Sequence, residues 1–276
     1  MLSDPQIEAV YIVSPISSHF EQVVKAIKAK KHVLCEKSIT SNSTEAKKIF
    51  ELASTSGVKV VEGLHYRHHP AILRTKHILE SGEIGKITHI YAKAFLPFYM
   101  SPRKTDNNIN FNLSGGCLTS LGCYPLHVIR FLTGMEPVVL NAKASPFSHD
   151  TRVDKYIYSQ LTFQHGVTGI IEAELTTSRL FFDFGVIVIG EKGEVELTNY
   201  LAPSLSHSIR VISPSGKRTE EHYGNDGTTF DYQLNAFIED IYGKQPCAHK
   251  VDDYVKNMEL IDAIYLKAKM PIRGSS

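Results

Sequence analysis

Residues able to do chemistry collect at the ends of three short apolar runs. Runs 7–13, 32–35 and 58–61 stop at Ser14-Pro15, Glu36-Lys37-Ser38 and Glu62-Gly63. If the runs are neighbouring parallel strands, a ligand binds at those ends, because the crevice of an open α/β sheet lies beyond the carboxyl ends of its strands. Hydroxyls, carboxylates and an ammonium at that point can bind and orient a polar ligand. Metal chemistry is not expected. His65, His68 and His69 would need a helix to converge, and Pro70 starts a helix only after them. The four cysteines, Cys35, Cys117, Cys123 and Cys247, make no disulfide framework in 276 residues and read as reduced, buried thiols.

The elements that must position these residues follow from periodicity. The three runs have the length and β-branching of buried strands. Ser18 with Glu21 three residues on predicts a capping box, and Phe20, Val23, Val24 and Ile27 form one helical face. Asn42 with Glu45 starts the next helix, whose face is Ala46, Ile49, Phe50 and Ala53 and whose end is Gly57. Pro70 opens a third helix that ends near Gly82. This alternation predicts parallel βαβ units with helices on both faces. Beyond residue 84 the pattern changes. Residues 87–95 read as a long strand and 101–113 as turn-rich, and Gly115-Gly116 leads a helix to Thr133, stopped by Gly134. Strand-like runs follow at 138–144, 156–163, 167–175, 184–189, 194–198 and 208–212. Two helices close the chain, with faces Phe230, Leu234, Phe237, Ile238, Ile241 and Tyr254, Met258, Ile261, Tyr265, Ala268. Both stripes read as core. The expected fold is α/β: a partial doubly wound, Rossmann-type parallel sheet over residues 1–84, then an α+β domain with a large, mostly antiparallel sheet over 85–276. The C-terminal helices are free to pack back on the first domain.

Composition excludes other classes. The chain is 42% hydrophobic and 21% charged, with 30 Lys+Arg against 29 Asp+Glu for a net charge of +1. That balance is globular rather than disordered. It is too neutral for a protein that binds nucleic acid by neutralising phosphates. No run of about 18 apolar residues is present, so no membrane span is expected. Met1-Leu2-Ser3-Asp4-Pro5 lacks the basic and apolar regions of a secretory leader, which points to a cytoplasmic setting. No G-x-G-x-x-G fingerprint occurs. Only three strands precede residue 84, where a full dinucleotide fold has two βαβαβ halves. The front half of a nucleotide domain is therefore expected to be missing from this chain.

Four segments, in order, resemble the Gfo/Idh/MocA oxidoreductases. His32-Val33-Leu34-Cys35-Glu36-Lys37-Ser38 is similar to the family's H-V-x-x-E-K-P. Ser14-Pro15 with His19 resembles the loop and following helix that lie against the cofactor. Glu62-Gly63-Leu64-His65-Tyr66-Arg67-His68-His69-Pro70 resembles E-G-x-x-Y-R-x-x-P, and the stretch from Gly115-Gly116 through Ser120 to Cys123-Tyr124-Pro125 resembles G-G-x-L-x-D-x-G-x-[YH]. The Cys-Tyr-Pro form looks nearest to the dihydrodiol and xylose dehydrogenase branch. The resemblance spans essentially the whole chain, as the family's second βαβ half and its C-terminal domain.

The resemblance implies hydride transfer between NADP or NAD and a sugar or cyclic polyol. It implies Lys37 and Tyr124 as catalytic residues: Lys37 beside the nicotinamide ribose and the reacting hydroxyl, Tyr124 as proton donor or acceptor with its pKa lowered by a nearby cation. Ser14, Pro15, His19, Glu36, Lys37 and Arg67 would face the cofactor. Tyr66, Ser120 and His127 would face the substrate, with Tyr66 and Arg67 at the entrance. A homodimer through the C-terminal sheet is also implied, and strands 156–161 and 184–189 carry apolar residues on both faces. Two positions depart from the pattern. The proline after the lysine is Ser38, and the aspartate four residues before Tyr124 is Ser120. With the missing fingerprint they support a second reading, a non-catalytic binding or dimerisation protein.

Overall fold

The computed structural model of the chain describes residues 1–100, 107–224, 226–244 and 251–274. Cys247 and part of the turn-rich stretch, 101–106, lie outside the described residues. Three strands, β1 (Ala9–Ile12), β2 (His32–Glu36) and β3 (Val60–Gly63), pair in parallel in the order β1-β2-β3. They are joined by α1 (Ile16–Lys28) and α2 (Ser43–Ser56), the crossovers that parallel strands need. Ile12 pairs with Cys35 and Glu36 with Gly63. That register brings Ser14, Lys37 and Gly63 out at one edge.

The start of α2 is as the sequence predicts. The Asn42 side chain accepts from Glu45 N at 3.1 Å, and Gly57 closes the helix with φ 76°. The start of α1 is not. The helix begins at Ile16, with Pro15 at the cap and no side-chain cap. Pro15 has φ −59°, close to helical already, so the helix grows before Ser18 is reached. The Ser18 amide donates to the Pro15 carbonyl, and Glu21 pairs with Lys25.

A 3-10 turn (His65–His68) and α3 (Pro70–Glu80) lead to β4 (Ile87–Pro97), inside an eight-stranded sheet. The other strands are β5 (Val138–Pro146), β6 (Asp154–Thr162), β7 (Thr168–Thr177), β8 (Val186–Gly190), β9 (Glu194–Leu197), β10 (Ile209–Ile212) and β11 (Arg218–Glu221). Their order is β11-β10-β9-β8-β4-β7-β6-β5, and every pairing is antiparallel except β4 with β7. The edge strand β11 reads Arg-Thr-Glu-Glu and so carries no apolar signal, as a charged edge should. Between β4 and β5 a π-helical turn (Leu118–Gly122) runs into α4 (Cys123–Thr133), which packs on β4, β7 and β8. Tyr91, Tyr156, Tyr158 and Ile187 alternate with the core residues of their strands and are half-buried.

Two helices, α5 (Thr229–Ile241) and α6 (Asp253–Lys267), close the fold. Helix α6 buries Tyr254, Met258, Ile261 and Tyr265, as the sequence predicts. Helix α5 does not bury its apolar stripe. Phe230, Leu234 and Ile238 are exposed, while Phe237 is buried against Leu34 and Val61 of the small sheet and Ile241 packs partly buried beside it. The row that faces inward is Thr229, Gln233, Phe237 and Asp240. Polar contacts turn it that way: Thr229 Oγ1 lies 2.8 Å from His65 Nδ1, and Asp240 pairs with Lys59. The thiols of Cys35, Cys117 and Cys123 are free and buried.

One glycine is irreplaceable where the two sheets meet. Gly116 has φ 154°, and a Cβ there would lie 2.5 Å from Arg273 Nη2 and 2.9 Å from Tyr265 Oη. Gly116→Ala should lower stability by at least about 3 kcal/mol, since it disturbs a buried ion pair. Urea unfolding of the two proteins checks this, and an unchanged midpoint overturns it.

Candidate active site

Lys37 follows β2 directly, and the Lys37–Ser38 peptide is cis. Its Nζ donates to the Ser120 carbonyl at 2.5 Å and lies 5.2 Å from the centroid of the Tyr124 ring. Ser38 Oγ donates to the neighbouring Thr119 carbonyl at 3.1 Å. Both carbonyls belong to the π-helical turn. A π-turn displaces the regular i→i−4 ladder and leaves carbonyls open to other donors. Ser120 therefore contributes its backbone, while its hydroxyl donates to the Asn108 carbonyl at 3.2 Å. Ser14, Pro15, Glu36, Lys37, Asn107 and Asn108 line a cleft of about 280 Å³. Asn107 and Asn108 come from the turn-rich stretch, where no pattern marked them. Glu36 Oε1 accepts from Tyr11 Oη at 2.5 Å.

Other expected site residues lie behind this cleft. His19 is fully buried, and its ring nitrogens sit 2.9 Å from the Ser38 carbonyl and 2.7 Å from the Ser14 carbonyl. It ties together the loops after β1 and β2 and does not face a ligand. Burial lowers its pKa, against the two carbonyls, which favour the protonated ring. Arg67 is 1% exposed, so it does not line an entrance. It donates to the Glu62 carbonyl at 2.9 Å and pairs with Asp253 at 3.2 Å. Tyr66 is buried as well and meets His127 Nδ1 at 2.5 Å. His127 Nε2 lies 2.8 Å from Asp253, which also pairs with Arg130 at 3.0 Å. A neutral ring donating from Nε2 and accepting at Nδ1 from Tyr66 satisfies every partner, and burial lowers the His127 pKa toward that form. Burial pushes the Asp253 carboxyl up, but His127, Arg130 and Arg67 outweigh it and hold it well below the usual range. Tyr66 and His127 thus form a buried support under Tyr124, whose ring stands edge-on to Tyr66 at 6.1 Å.

Tyr124 corrects a further expectation. Burial raises its pKa well above 10, and the nearby Cys123, Glu36 and Tyr200 push the same way. The phenol is neutral, not an activated phenolate. His65 is a neighbour that motif reading passed over, although it sits two residues after the Glu62-Gly63 strand end. Its ring stands edge-on to Tyr124 at 5.5 Å and stacks on Phe230 at 4.3 Å. Burial and then the Lys37 charge lower its pKa to about 4. His65, His68 and His69 diverge: His65 turns to Thr229, His68 accepts from Arg67, and His69 meets the Gly224 carbonyl.

The donor set suits one end of a dinucleotide. A carboxylate, an ammonium and serine and asparagine groups surround a cleft near the small end of ligand pockets. No glycine fingerprint for the pyrophosphate is present in the sequence.

Comparisons with known proteins point to one oxidoreductase family. Residues 1–64 match the profile of an oxidoreductase family with an NAD-binding Rossmann fold, and residues 72–196 match the GFO/IDH/MocA C-terminal domain. An uncharacterized oxidoreductase of Rhizobium meliloti is 25% identical over 274 residues, which cover 98% of this chain and 80% of that one. D-xylose 1-dehydrogenase (NADP(+)) 2 of Haloferax volcanii is 25% identical over 270 residues, with the same coverage of 98% and 80%. The crystal structure of aldose-aldose oxidoreductase from Caulobacter crescentus, complexed with glycerol, superposes with a TM-score of 0.87 at 25% identity, over 97% of this chain and 79% of that one.

Glu62, one residue before the end of β3, couples folding stability to pH. Its Oε1 accepts from Ile39 N at 2.9 Å, while Oε2 is buried without a partner. Burial raises its pKa from 4.5 to about 7. The folded carboxyl keeps its proton where the unfolded one has lost it. Its contribution is intact below about pH 4.5 and falls away as pH rises through 7, by about 3 kcal/mol in all. Glu62→Gln, which does not titrate, should gain stability relative to wild type between pH 5 and pH 8. Denaturant midpoints at the two pH values test this, and a pH-independent difference overturns it.

Proposed function

The chain belongs to the GFO/IDH/MocA oxidoreductase family, and from that premise we propose that it moves a hydride between NADP or NAD and a sugar or cyclic polyol. The observation that carries the proposal is the Lys37 ammonium, fixed by the Ser120 carbonyl 5.2 Å from the Tyr124 ring centroid. Among the described residues no carboxylate forms an ion pair with it. An ammonium with N–H groups to spare can donate to a substrate oxygen and steady the negative charge that develops there. The nicotinamide supplies or accepts the hydride when bound. Ser14, Pro15, Glu36 and Lys37 would hold its ribose end. Glu36 offers a carboxylate to hydroxyl donors, and His19 keeps the Ser14 and Ser38 loops at a fixed spacing from behind.

Tyr124 acts in this scheme as a neutral phenol. It gives a proton to a carbonyl oxygen as that oxygen gains charge, which favours reduction of a ketone or aldehyde sugar. Tyr66 and His127 hold its ring from below rather than touching substrate. The sugar class is supported by relatives whose names specify a xylose and an aldose as substrate.

The proposal extends to the organisation of the chain. Residues 1–84 form the nucleotide side and 85–276 the substrate side. The half-buried Tyr91, Tyr156, Tyr158 and Ile187 face a second copy of the chain in a homodimer. No helix among the described residues is long and apolar enough to cross a membrane. A cytoplasmic setting suits the buried free thiols.

Three measurements test these statements. NADPH or NADH titrated into the purified chain, followed by fluorescence, should bind, and a panel of aldoses should show turnover. Lys37→Ala should lower that turnover by about 10²–10³-fold and change cofactor affinity much less. Turnover at the wild-type rate in Lys37→Ala, or a folded chain that binds neither cofactor at millimolar concentration, overturns the reading. Light scattering should show a dimer, and a monomer at every concentration overturns that part.

A further inference from the structure

A buried ion pair that the hydride-transfer reading does not use builds the segment leading to Tyr124. Arg273 and Asp154 are both fully buried and lie 119 residues apart in sequence, with Nη2 2.6 Å from Oδ1. Two of their other bonds, one from each partner, aim at one stretch of backbone. Arg273 Nε donates to the Gly115 carbonyl at 2.7 Å. Asp154 Oδ2 accepts from the amide of Leu118, the first residue of the π-helical turn, at 2.7 Å. Tyr265 Oη donates to Asp154 Oδ1 at 3.1 Å, and its ring centroid lies 4.3 Å from the guanidinium. The Pro271 carbonyl takes Nη1 at 2.7 Å.

A second set of bonds runs from this stretch toward the site. Thr119 Oγ1 donates to the Ser114 carbonyl at 2.9 Å. The carbonyls of Thr119 and Ser120 then receive Ser38 Oγ and Lys37 Nζ. The Arg273 carbonyl itself accepts from Asn42 Nδ2 at 3.0 Å, which returns the chain terminus to the cap of α2.

From this geometry we infer that Arg273 and Asp154 are positioning residues for Lys37. The pair fixes the start of the π-helical turn, and the carbonyls of that turn fix the ammonium. A buried ion pair adds little net stability over a well-packed apolar replacement, because desolvation offsets the attraction. It does add direction, since the guanidinium holds its donors in one rigid plane. A lysine at 273 keeps the charge but has a single nitrogen, which cannot serve Asp154 and the Gly115 carbonyl in the same geometry.

The test reads Lys37 directly. Folded wild type, Arg273→Lys and Asp154→Asn are treated with limiting acetylating reagent, and acetylation of Lys37 is followed by mass spectrometry. The exposed Lys217 serves as internal reference. Val195→Ala, a core truncation in β9, serves as a control for general destabilisation. Release of Lys37 from its carbonyl should raise its labelling about tenfold in Arg273→Lys and Asp154→Asn. Lys217 should not change, and Val195→Ala should stay within about twofold of wild type for Lys37. Unchanged Lys37 labelling in the folded variants, or an equal rise in Val195→Ala, overturns the inference. If both charge variants fail to fold, Tyr265→Phe removes one bond to Asp154 and keeps the packing. It should raise Lys37 labelling about threefold, and no rise overturns the inference equally. The readout uses neither cofactor nor turnover. Full activity in Lys37→Ala would therefore sink the hydride-transfer reading and leave this inference standing.

Discussion

The bond from Lys37 Nζ to the Ser120 carbonyl joins the two sheets at the point where chemistry is proposed. One end comes from the loop that follows β2 in the small parallel sheet, the other from the π-helical turn that precedes α4. Around that bond the seam between the layers is polar. Asp253 on α6 gathers Arg67, Arg130 and His127, and Arg273 reaches back to Asp154. A buried charge without its partner costs several kcal/mol, so each of these groups is fixed by the other. Their partners come from distant parts of the chain. The relative placement of the sheets is thereby over-determined, and Lys37 and Tyr124 inherit their geometry from it.

Local signals in the sequence marked local structure where no neighbouring constraint competed with them. Asn42, Glu45 and Gly57 mark both ends of α2 because a cap needs only neighbours. The parallel order of the first three strands follows from spacing alone. Where a local signal failed, a nearby constraint outweighed it: Pro15 started α1 before Ser18 could cap it. The stripe on α5 failed for a longer-range reason. Thr229 and Asp240 are drawn to His65 and Lys59, and these turn a polar row inward against the apolar periodicity. Of the residues in the motifs, Ser14, Pro15, Glu36 and Lys37 line one cleft and Tyr124 lies beside Lys37. The motifs gave no means to see that His19, Arg67, Tyr66 and His127 stand behind that cleft, since burial depends on what α6 covers. The Asp154–Arg273 pair was illegible for the same reason. Neither residue lies in a motif, and 119 residues separate them.

Tyr124 shows how two large effects compete. A unit charge about 5 Å away is worth roughly 3 kcal/mol at an effective dielectric near 20, enough to lower a phenol by about two pKa units. That expectation placed the cation beside the hydroxyl. In the structure Lys37 is set against the ring, where its attraction is to the π-face rather than to a phenolate oxygen. Burial then decides the outcome, and Glu36 adds to it. The proposed reaction thus sets an ammonium beside a phenol that burial keeps protonated, an arrangement that would suit the gain of negative charge by a bound oxygen.

The serine at position 120 is consistent with that chemistry. A carboxylate on the same helical face would neutralise part of the Lys37 charge. A backbone carbonyl holds the ammonium and leaves its charge available to a substrate. The direction of that carbonyl is set by the π-helical turn and by the Asp154 carboxylate that accepts from the Leu118 amide, not by the side chain at 120. Position 120 can then change without moving Lys37, provided that the turn keeps its shape. Ser38 fits the same scheme. Its hydroxyl reaches the Thr119 carbonyl, one residue before the lysine's own acceptor. In this chain backbone carbonyls of the π-helical turn receive both Lys37 and Ser38, so a change in the shape of that turn should disturb Lys37 more than a change of side chain at position 120.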